Sequence, residues 1–458
     1  MNKNDEFIIS IEDMTSDGEG IGRKDGFALF VKDTIKGDLV TVKVIKMKKT
    51  YGFARLIEII EPSSHRVEPR CPLSRKCGGC QIMHCSYEKQ LEYKENKVRN
   101  CLERIGKLTN LPMEPIMGME EPYYYRNKAQ FPVGRNREGK IEIGFYAGHT
   151  HSIVDTSHCY IQAPINEQLI QIIRDFLEEF HIEPYDEASK KGLVRHILTR
   201  VGDATGEIMV CLVINARKLP HADKLIERLS KVEGMTSIML NVNQENTNVI
   251  LGKESKNLWG QNYITDCIGT IKYQISPLSF YQVNPTQTKK LYETALEYAD
   301  LHGEEIVWDI YCGIGTISLF LAQSAKQVYG VEIVPEAIED AKRNAALNQI
   351  GNAEFFVGAA EDVLPEKYAK SNGAMRADVI VIDPPRKGCD EVLLDTIVKM
   401  EPDRIVYVSC DPATLARDLR YLEDHGYQVK RVRACDMFAH SVHVETVILM
   451  TRCGLNDK

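Results

Sequence analysis

From about residue 285 onward the chain alternates short apolar runs with amphipathic stretches. This alternation restricts the C-terminal half to a doubly wound, mostly parallel α/β sheet with helices on both faces. The apolar runs are Ile306–Tyr311, Val328–Glu332, Glu354–Val357, Val379–Asp383, Ile405–Ser409, Val429–Ala434 and Thr446–Met450. Helical periodicity falls on Thr286–Ala299, Thr316–Gln323, Pro335–Asn348, Glu391–Lys399 and Ala413–His425. Sheets of this kind bind ligands beyond the carboxyl ends of their strands. Tyr311, Glu332, Asp383 and Cys410 all stand at such ends.

A chain of 458 residues exceeds one ordinary hydrophobic core, so further domains are expected upstream. Residues 1–62 read as a small β-barrel of the OB kind. Apolar segments at Phe7–Ile11, Phe27–Val31, Leu39–Ile45 and Gly52–Ile60 are separated by turns punctuated by Gly18, Gly20, Gly22 and Gly26. A helix capped by Ser86 is expected to run to about Ile105, with Tyr87, Leu91, Val98, Leu102 and Ile105 near one face. Residues 120–275 are mixed and β-rich, with segments at Ile141–Tyr146, Leu193–Val201, Ile208–Ile214, Ser237–Val242 and Ile268–Ile275. The expected division is 1–62, 63–275 and 276–458, which leaves the helix over about 86–106 free to pack on the last of these.

No apolar run approaches the ~18 residues of a membrane span, and the first residues lack a signal-peptide core. A reducing cytoplasm is therefore the expected compartment, where the thirteen cysteines serve as thiols or metal ligands. The net charge is -8, yet six basic residues and one acid lie between Lys36 and Arg55, and ten basic residues and five acids between Arg66 and Lys107. Two adjoining basic segments in an acidic chain point to a polyanion, against the plainer reading of a solvated face. Tyr123-Tyr124-Tyr125-Arg126-Asn127-Lys128 sets aromatics beside cations, as contact with single-stranded RNA requires, and Arg126 and Lys128 are the residues expected to touch it.

The turn Asp309-Ile310-Tyr311-Cys312-Gly313-Ile314-Gly315 follows a strand and opens a helix, and its glycines allow close backbone approach to a ligand. Glu332, about twenty residues on, can bind ribose hydroxyls. The dinucleotide spacing is incomplete because Ser318 holds the third glycine position, which favours S-adenosylmethionine over NAD. Asp383-Pro384-Pro385 ends the fourth strand, followed by Arg386 where amine methyltransferases carry an aromatic residue. Cys410 ends the fifth strand before Asp411-Pro412. A thiolate and an acid beside a cofactor cleft suggest covalent chemistry on a bound substrate. Cys71, Cys77 and Cys80 form a tight triple. On spacing alone it suits zinc as well as an iron–sulfur group, with a fourth ligand from His84, Cys85 or farther away.

Taken together, these residues resemble the RNA 5-methyluridine methyltransferase family, in particular its iron–sulfur branch acting on 23S ribosomal RNA. The resemblance is carried by Phe280-x-Gln282-x-Asn284, the Asp309–Gly315 turn, Asp383-Pro384-Pro385-Arg386-x-Gly388, Ser409-Cys410-Asp411-Pro412-x-Thr414-x-Ala416-Arg417-Asp418 and His443-Val444-Glu445. It implies a Rossmann-like class I methyltransferase domain, an RNA-binding, OB-like TRAM barrel at the N-terminus and a mixed, β-rich iron–sulfur central domain. It further implies Cys410 as nucleophile, Glu445 as base, and Gln282, Tyr311, Glu332 and Asp383 around S-adenosylmethionine. Phe280 would stack on the target base. A 4Fe–4S cluster would be held by Cys71, Cys77, Cys80 and Cys159. The implied partner is 23S ribosomal RNA, methylated by a monomer at one or two sites. Uridine methylation of tRNA and a non-catalytic RNA-binding or assembly role are the competing readings.

Overall fold

The computed structural model describes residues 1–148, 150–371 and 375–454, which form two compact units. The first comprises Met1–Lys97 with Phe145–Val154 and Phe438–His443. The second comprises Val98–Gly144, Asp155–Met437 and Val444–Lys458.

In the first unit, β1 (Glu6–Met14), β2 (Gly20–Lys24), β3 (Phe27–Val31), β4 (Leu39–Met47) and β5 (Tyr51–Glu61) close into a barrel in the order β1-β2-β3-β5-β4. Alternation sends Ile9, Ile11, Leu29, Val31, Val40, Val42 and Ala54 into its core. Gly20 and Gly22, read from the sequence as turn glycines, lie inside β2 instead. A Cβ on Gly20 would come within 2.1 Å of Thr34 Oγ1, and one on Gly22 within 2.7 Å of Ile9 Cδ1. These glycines serve packing rather than turning.

Helix α1 (Tyr87–Arg104) follows close to the expected span, but Ser86 Oγ is buried without a hydrogen-bond partner among the described residues and does not cap it; Val98 and Leu102 join the core of the second unit. Next come β6 (Met113–Met117), β7 (Lys128–Arg135), β8 (Ile141–Tyr146), β9 (Ile153–Asp155), α2 (Asn166–Glu179), β10 (Val194–Val201), β11 (Ile208–Ile214), α3 (Ala222–Leu229), β12 (Met235–Val242) and β13 (Glu254–Gly260). A seven-stranded sheet runs β13-β12-β11-β10-β7-β8-β9. The apolar run Ile268–Ile275 is not one strand. It contains the turn and second arm of a hairpin, β14 (Ile264–Ile268) and β15 (Ile271–Ile275), broken at Gly269 with φ 60°.

The rest of the chain alternates as expected: α4 (Pro285–Ala299), β16 (Ile306–Ile310), α5 (Thr316–Leu321), β17 (Gln327–Glu332), α6 (Pro335–Leu347), β18 (Ala353–Val357), α7 (Ala360–Lys370), β19 (Val379–Ile382), α8 (Glu391–Met400), β20 (Arg404–Ser409), α9 (Pro412–Asp424), β21 (Tyr427–Cys435) and β22 (Glu445–Arg452). The eight-stranded sheet has the order β18-β17-β16-β19-β20-β22-β21-β6. Strands β16 to β20 are parallel, whereas β22 inserts antiparallel between β20 and β21. Strand order reverses between β16 and β19, which opens a crevice at their carboxyl ends. Among the described residues no helix is long and apolar enough to cross a membrane.

Candidate active site

The crevice is framed first by the turn after β16. Tyr311 adopts φ 69°, unusual for a non-glycine residue, and both its N–H and that of Cys312 donate to Val331 O at 3.0 Å. Gly313 and Gly315 follow at φ 54° and 81° and start α5. The N–H of Gly313 donates to Glu332 Oε2 at 3.3 Å, and that of Val334 to Glu332 Oε1 at 3.0 Å. Glu332 and its register partner Val357 end neighbouring strands, and Ile333 and Val357 are exposed at that edge. A fixed carboxylate beside apolar surface suits a ribose and its purine, so these residues fit an adenosine-type cofactor.

Asp309 lies beneath the turn, fully buried. Ser318 Oγ donates to its Oδ2, and its Oδ1 is buried without a partner. Burial pushes its pKa up to about 7, the charges of Asp383 and Glu332 add to the rise, and Ser318 opposes it. Such a carboxyl favours the fold only while protonated. Its contribution is full below about pH 4 and is lost as pH rises through about 7. Asp309→Asn is therefore expected to match wild type near pH 4 and to exceed it above pH 8 by on the order of 2–4 kcal/mol, read by denaturant unfolding.

Asp383 follows β19, its N–H donating to Ile310 O at 3.3 Å, and burial raises its pKa to about 7. Cys410 lies one residue beyond β20. Ser409 pairs antiparallel with Thr446, so Cys410 and Glu445 are the next residues across the two strands. Glu445 is 4% exposed. Burial pushes its pKa up to about 8, with Asp383 adding and Arg386 opposing. Burial likewise raises Cys410 to about 11, followed by the Glu445 and Asp383 charges, against the Arg386 guanidinium. The structure thus brings Cys410, Glu445, Asp383 and Arg386 into one electrostatic group.

The loop carrying Arg386 is clamped to α9. Asp418 Oδ2 accepts from Cys389 N at 2.8 Å and from the Tyr407 hydroxyl at 2.7 Å, while Asp418 Oδ1 accepts from Arg417 Nε at 2.8 Å. Arg417 Nη2 donates to the carbonyls of Lys387 and Cys389, and Thr414 Oγ1 to that of Arg386 at 3.1 Å. Gly388 has φ 73°, and a Cβ there would lie 2.6 Å from Asp418 Oδ2 and 2.7 Å from Arg417 Nη2. Gly388→Ala is expected to destabilise the protein by about 2 kcal/mol or more, measured by urea unfolding.

Gln282 and Phe280 precede α4. Gln282 is buried and Phe280 is 64% exposed. Arg126 and Lys128 come from a distant part of the sequence, yet Asn127 joins them to this segment: its N–H donates to Val283 O at 2.9 Å and its Nδ2 to Gln282 O at 3.1 Å. Arg200, the register partner of Lys128, donates to Ser279 O at 2.5 Å. Burial, followed by Arg200 and Arg126, lowers the Lys128 pKa to about 8. Asn127 and Arg200 escaped the sequence reading. For Arg200 the available signal was the pair of arginines, Arg195 and Arg200, inside the β-rich segment Leu193–Val201.

Cys71, Cys77 and Cys80 fall in the first unit and Cys159 in the second. Gly79 N–H donates to Cys77 Sγ at 3.4 Å, and burial, with the nearby Cys71, raises the Cys77 thiol. Among the described residues no three His, Cys, Asp or Glu side chains form a set able to hold a metal ion. The donors fit a thiolate-bound group in their chemistry, but not in a completed ligand set. Cys85, the local alternative ligand, is packed with Ile35, Ile82 and Val442 as a buried apolar residue.

Residues 86–453 match the family described as tRNA (Uracil-5-)-methyltransferase, and residues 3–57 match the TRAM domain. A Halalkalibacterium halodurans protein named an RNA methyltransferase is 54% identical over 451 residues, 98% of each chain. A similarly named Clostridium tetani protein is 50% identical over 457 residues, covering 100% of this chain and 98% of its own. Among solved structures, Pyrococcus abyssi tRNA (uracil-54, C5)-methyltransferase in complex with S-adenosyl-L-homocysteine superimposes with a TM-score of 0.79 at 27% identity, over 97% of this chain and 100% of that one.

Proposed function

The chain belongs to the tRNA (uracil-5-)-methyltransferase family, and on that premise we propose that it methylates uridine C5 in 23S ribosomal RNA with Cys410 as nucleophile and Glu445 as base. It is an S-adenosylmethionine-dependent RNA methyltransferase with a class I fold and an N-terminal TRAM barrel. The observation that carries the residue assignment is the cross-strand pairing that sets Cys410 beside Glu445 at the crevice.

Uracil C5 is too weak a nucleophile to take a methyl group unaided. Cys410 Sγ, as thiolate, adds to C6, and the electron pair of the C5–C6 double bond moves toward C5 and O4. S-adenosylmethionine, when bound, supplies an electrophilic methyl on its sulfonium. C5 would take that methyl as the S–CH3 bond breaks and its electron pair stays on sulfur, giving the neutral thioether S-adenosylhomocysteine, and Glu445 then accepts the C5 proton. The C6–Sγ bond breaks as the double bond re-forms, returning the thiolate. Arg386 holds positive charge near Sγ during addition and departure. In this reading Gln282, Tyr311, Glu332 and Asp383 hold the cofactor, and Phe280 stacks on the uracil while Arg126 and Lys128 meet its RNA backbone.

We assign the functional division as 1–62, 63–275 and 276–458, in a cytoplasmic enzyme. The 23S assignment rests on the cysteine triple Cys71, Cys77 and Cys80, which with Cys159 would hold a 4Fe–4S cluster. No step of the reaction runs through it. Iron and acid-labile sulfide in anaerobically prepared protein, lost in Cys77→Ser, are the expected result; zinc alone would remove the cluster from the proposal. A second reading, methylation of tRNA, is favoured by the likeness to the Pyrococcus abyssi enzyme. Labelled S-adenosylmethionine offered with separate 23S, 16S and tRNA pools decides between them. Label in 23S supports the proposal, label confined to tRNA supports the second reading, and label in none sinks both.

A further inference from the structure

The first turn of α4 directs two buried side-chain amides at neighbouring strands rather than at its own helix. Asn284 is the N-cap: its Oδ1 accepts from Gln287 N–H at 3.2 Å, and Pro285 follows at the first helical position. A capping box would turn the Gln287 side chain back to the Asn284 N–H. Here it turns away. Gln287 is fully buried, and its Nε2 donates to Met117 O at 3.0 Å and to Asp436 O at 3.2 Å. Its Oε1 is buried without a partner among the described residues. Asn284 is buried as well, and its Nδ2 donates to Met437 O at 3.1 Å.

These carbonyls belong to one row of strand ends. Met117, the last residue of β6, is the register partner of Cys435, the last residue of β21. Cys435 is in turn the register partner of Glu445, the first residue of β22. Cys410 stands next across from Glu445, beyond the Ser409–Thr446 pair. Gln287 therefore ties Met117 to the residue that follows Cys435, and Asp436 N–H adds a bond to Met117 O at 2.9 Å. Asn284 holds the next carbonyl along, that of Met437. From there the chain leaves the sheet and re-enters it at Glu445. The helix itself packs against β20 and β22. In sequence, Asn284 ends the segment that begins with Phe280 and Gln282.

A helix cap needs only the acceptor of Asn284, and an orphaned buried oxygen on Gln287 is a cost that apolar packing would avoid. The two amide donors serve the strand row instead. We propose that Asn284 and Gln287 are positioning residues for Glu445, holding the outer end of its row against the segment that carries Phe280 and Gln282. The start of one helix thereby sets both the base and the place of the target uracil. A carboxylate that must meet the C5 proton within hydrogen-bond reach tolerates little displacement. Addition of Cys410 and methyl transfer do not use that carboxylate, so both should survive the loss of either amide. This inference deepens the catalytic reading and rests on Glu445 as the base.

The test compares two rates in full-length protein, on the RNA that accepts label from S-adenosylmethionine. Turnover on that RNA needs the base. Adduct formation with its 5-fluorouridine form does not, because fluorine at C5 cannot leave as a proton. Asn284→Asp keeps the cap acceptor and loses the donor, and Gln287→Met keeps the bulk and loses the donor. Each should lower turnover roughly 10- to 100-fold and leave adduct formation within about threefold of wild type. A covalent complex with methylated RNA should accumulate in both, as in Glu445→Gln. Circular dichroism reports folding, and Asn284→Ser, also a good cap, replaces Asn284→Asp if that variant does not fold. Equal losses of turnover and adduct, wild-type turnover in both variants, or failure of every variant to fold would each overturn the positioning role. A methylated complex in Glu445→Gln alone overturns that role and leaves the base assignment intact. No such complex in Glu445→Gln, or no RNA that accepts label, removes the base assignment and this inference with it.

Discussion

Cys410→Ala protein is expected to lose methyl transfer by roughly four orders of magnitude or more, with affinity for S-adenosylmethionine little changed. In the proposed mechanism the thiol acts at one point, the addition that makes C5 nucleophilic. Other thiols near the crevice are poor substitutes. Cys312 and Cys389 are each 4% exposed, and burial drives both upward, Cys389 to about 12. Cys410 is itself raised to about 11, by burial first and then by the carboxyls Glu445 and Asp383, of which Glu445, raised to about 8, is mostly protonated at neutral pH. The measurement is transfer of labelled methyl, paired with a denaturation-resistant adduct to RNA containing 5-fluorouridine. Wild type should form the adduct and the alanine variant should not. An adduct that survives in Cys410→Ala would move the nucleophile to another cysteine.

Glu445→Gln should fail later in the cycle. Addition and methyl transfer need no base on C5, whereas elimination does, so the variant is expected to accumulate a covalent complex with already methylated RNA. Turnover should fall by roughly 10²–10⁴. The pH profile separates this role from a structural one. Glu445 accepts a proton only when ionised, and burial raises its pKa to about 8, so the wild-type elimination rate should climb as pH rises through 8. The glutamine variant should lose that rise. The sign for stability is opposite: the protonated buried acid favours the fold, and that contribution is lost as pH rises through 8, so Glu445→Gln should be no less stable than wild type in alkali. A variant that turns over normally, or that stalls before any methyl reaches RNA, would remove Glu445 from this role.

The doubly wound half was legible because its strands are buried on both faces. Val379–Ile382 reads as a continuous apolar run and Ile306–Ile310 as one broken only by Asp309, each with chemistry at its end. Helix α7 was missed because it holds Pro365 and buries only Ala360 and Leu364, so its apolar stripe is too thin to register. The hairpin of β14 and β15 was blurred by an apolar sequence that continues on both sides of its two-residue turn. Strand β2 was hidden because Gly20 and Gly22, the usual marks of a turn, are there to let Thr34, Ile11 and Ile9 approach. At the site, the separate residues could be named, but their juxtaposition depends on long-range pairing. Nothing local in Val444-Glu445-Thr446 says that this strand will lie against Ser409. The same holds for Arg200 and Asn127, whose hydrogen bonds join Arg126 and Lys128 to the Phe280 segment.

The insertion of β22 between β20 and β21 also orders events during synthesis. The ribosome delivers the strand bearing Cys410 first, then its eventual outer neighbour, and only afterwards the strand that separates them. Until that strand arrives, a nascent chain has Cys410 and the Asp309–Gly315 turn, but not Glu445, the proton acceptor we propose. On the proposed assignment, competence for a complete cycle therefore waits for the last strand of the sheet to be made and to pair between its two neighbours. On that assignment, a chain halted before Glu445 lacks the base that completes the cycle.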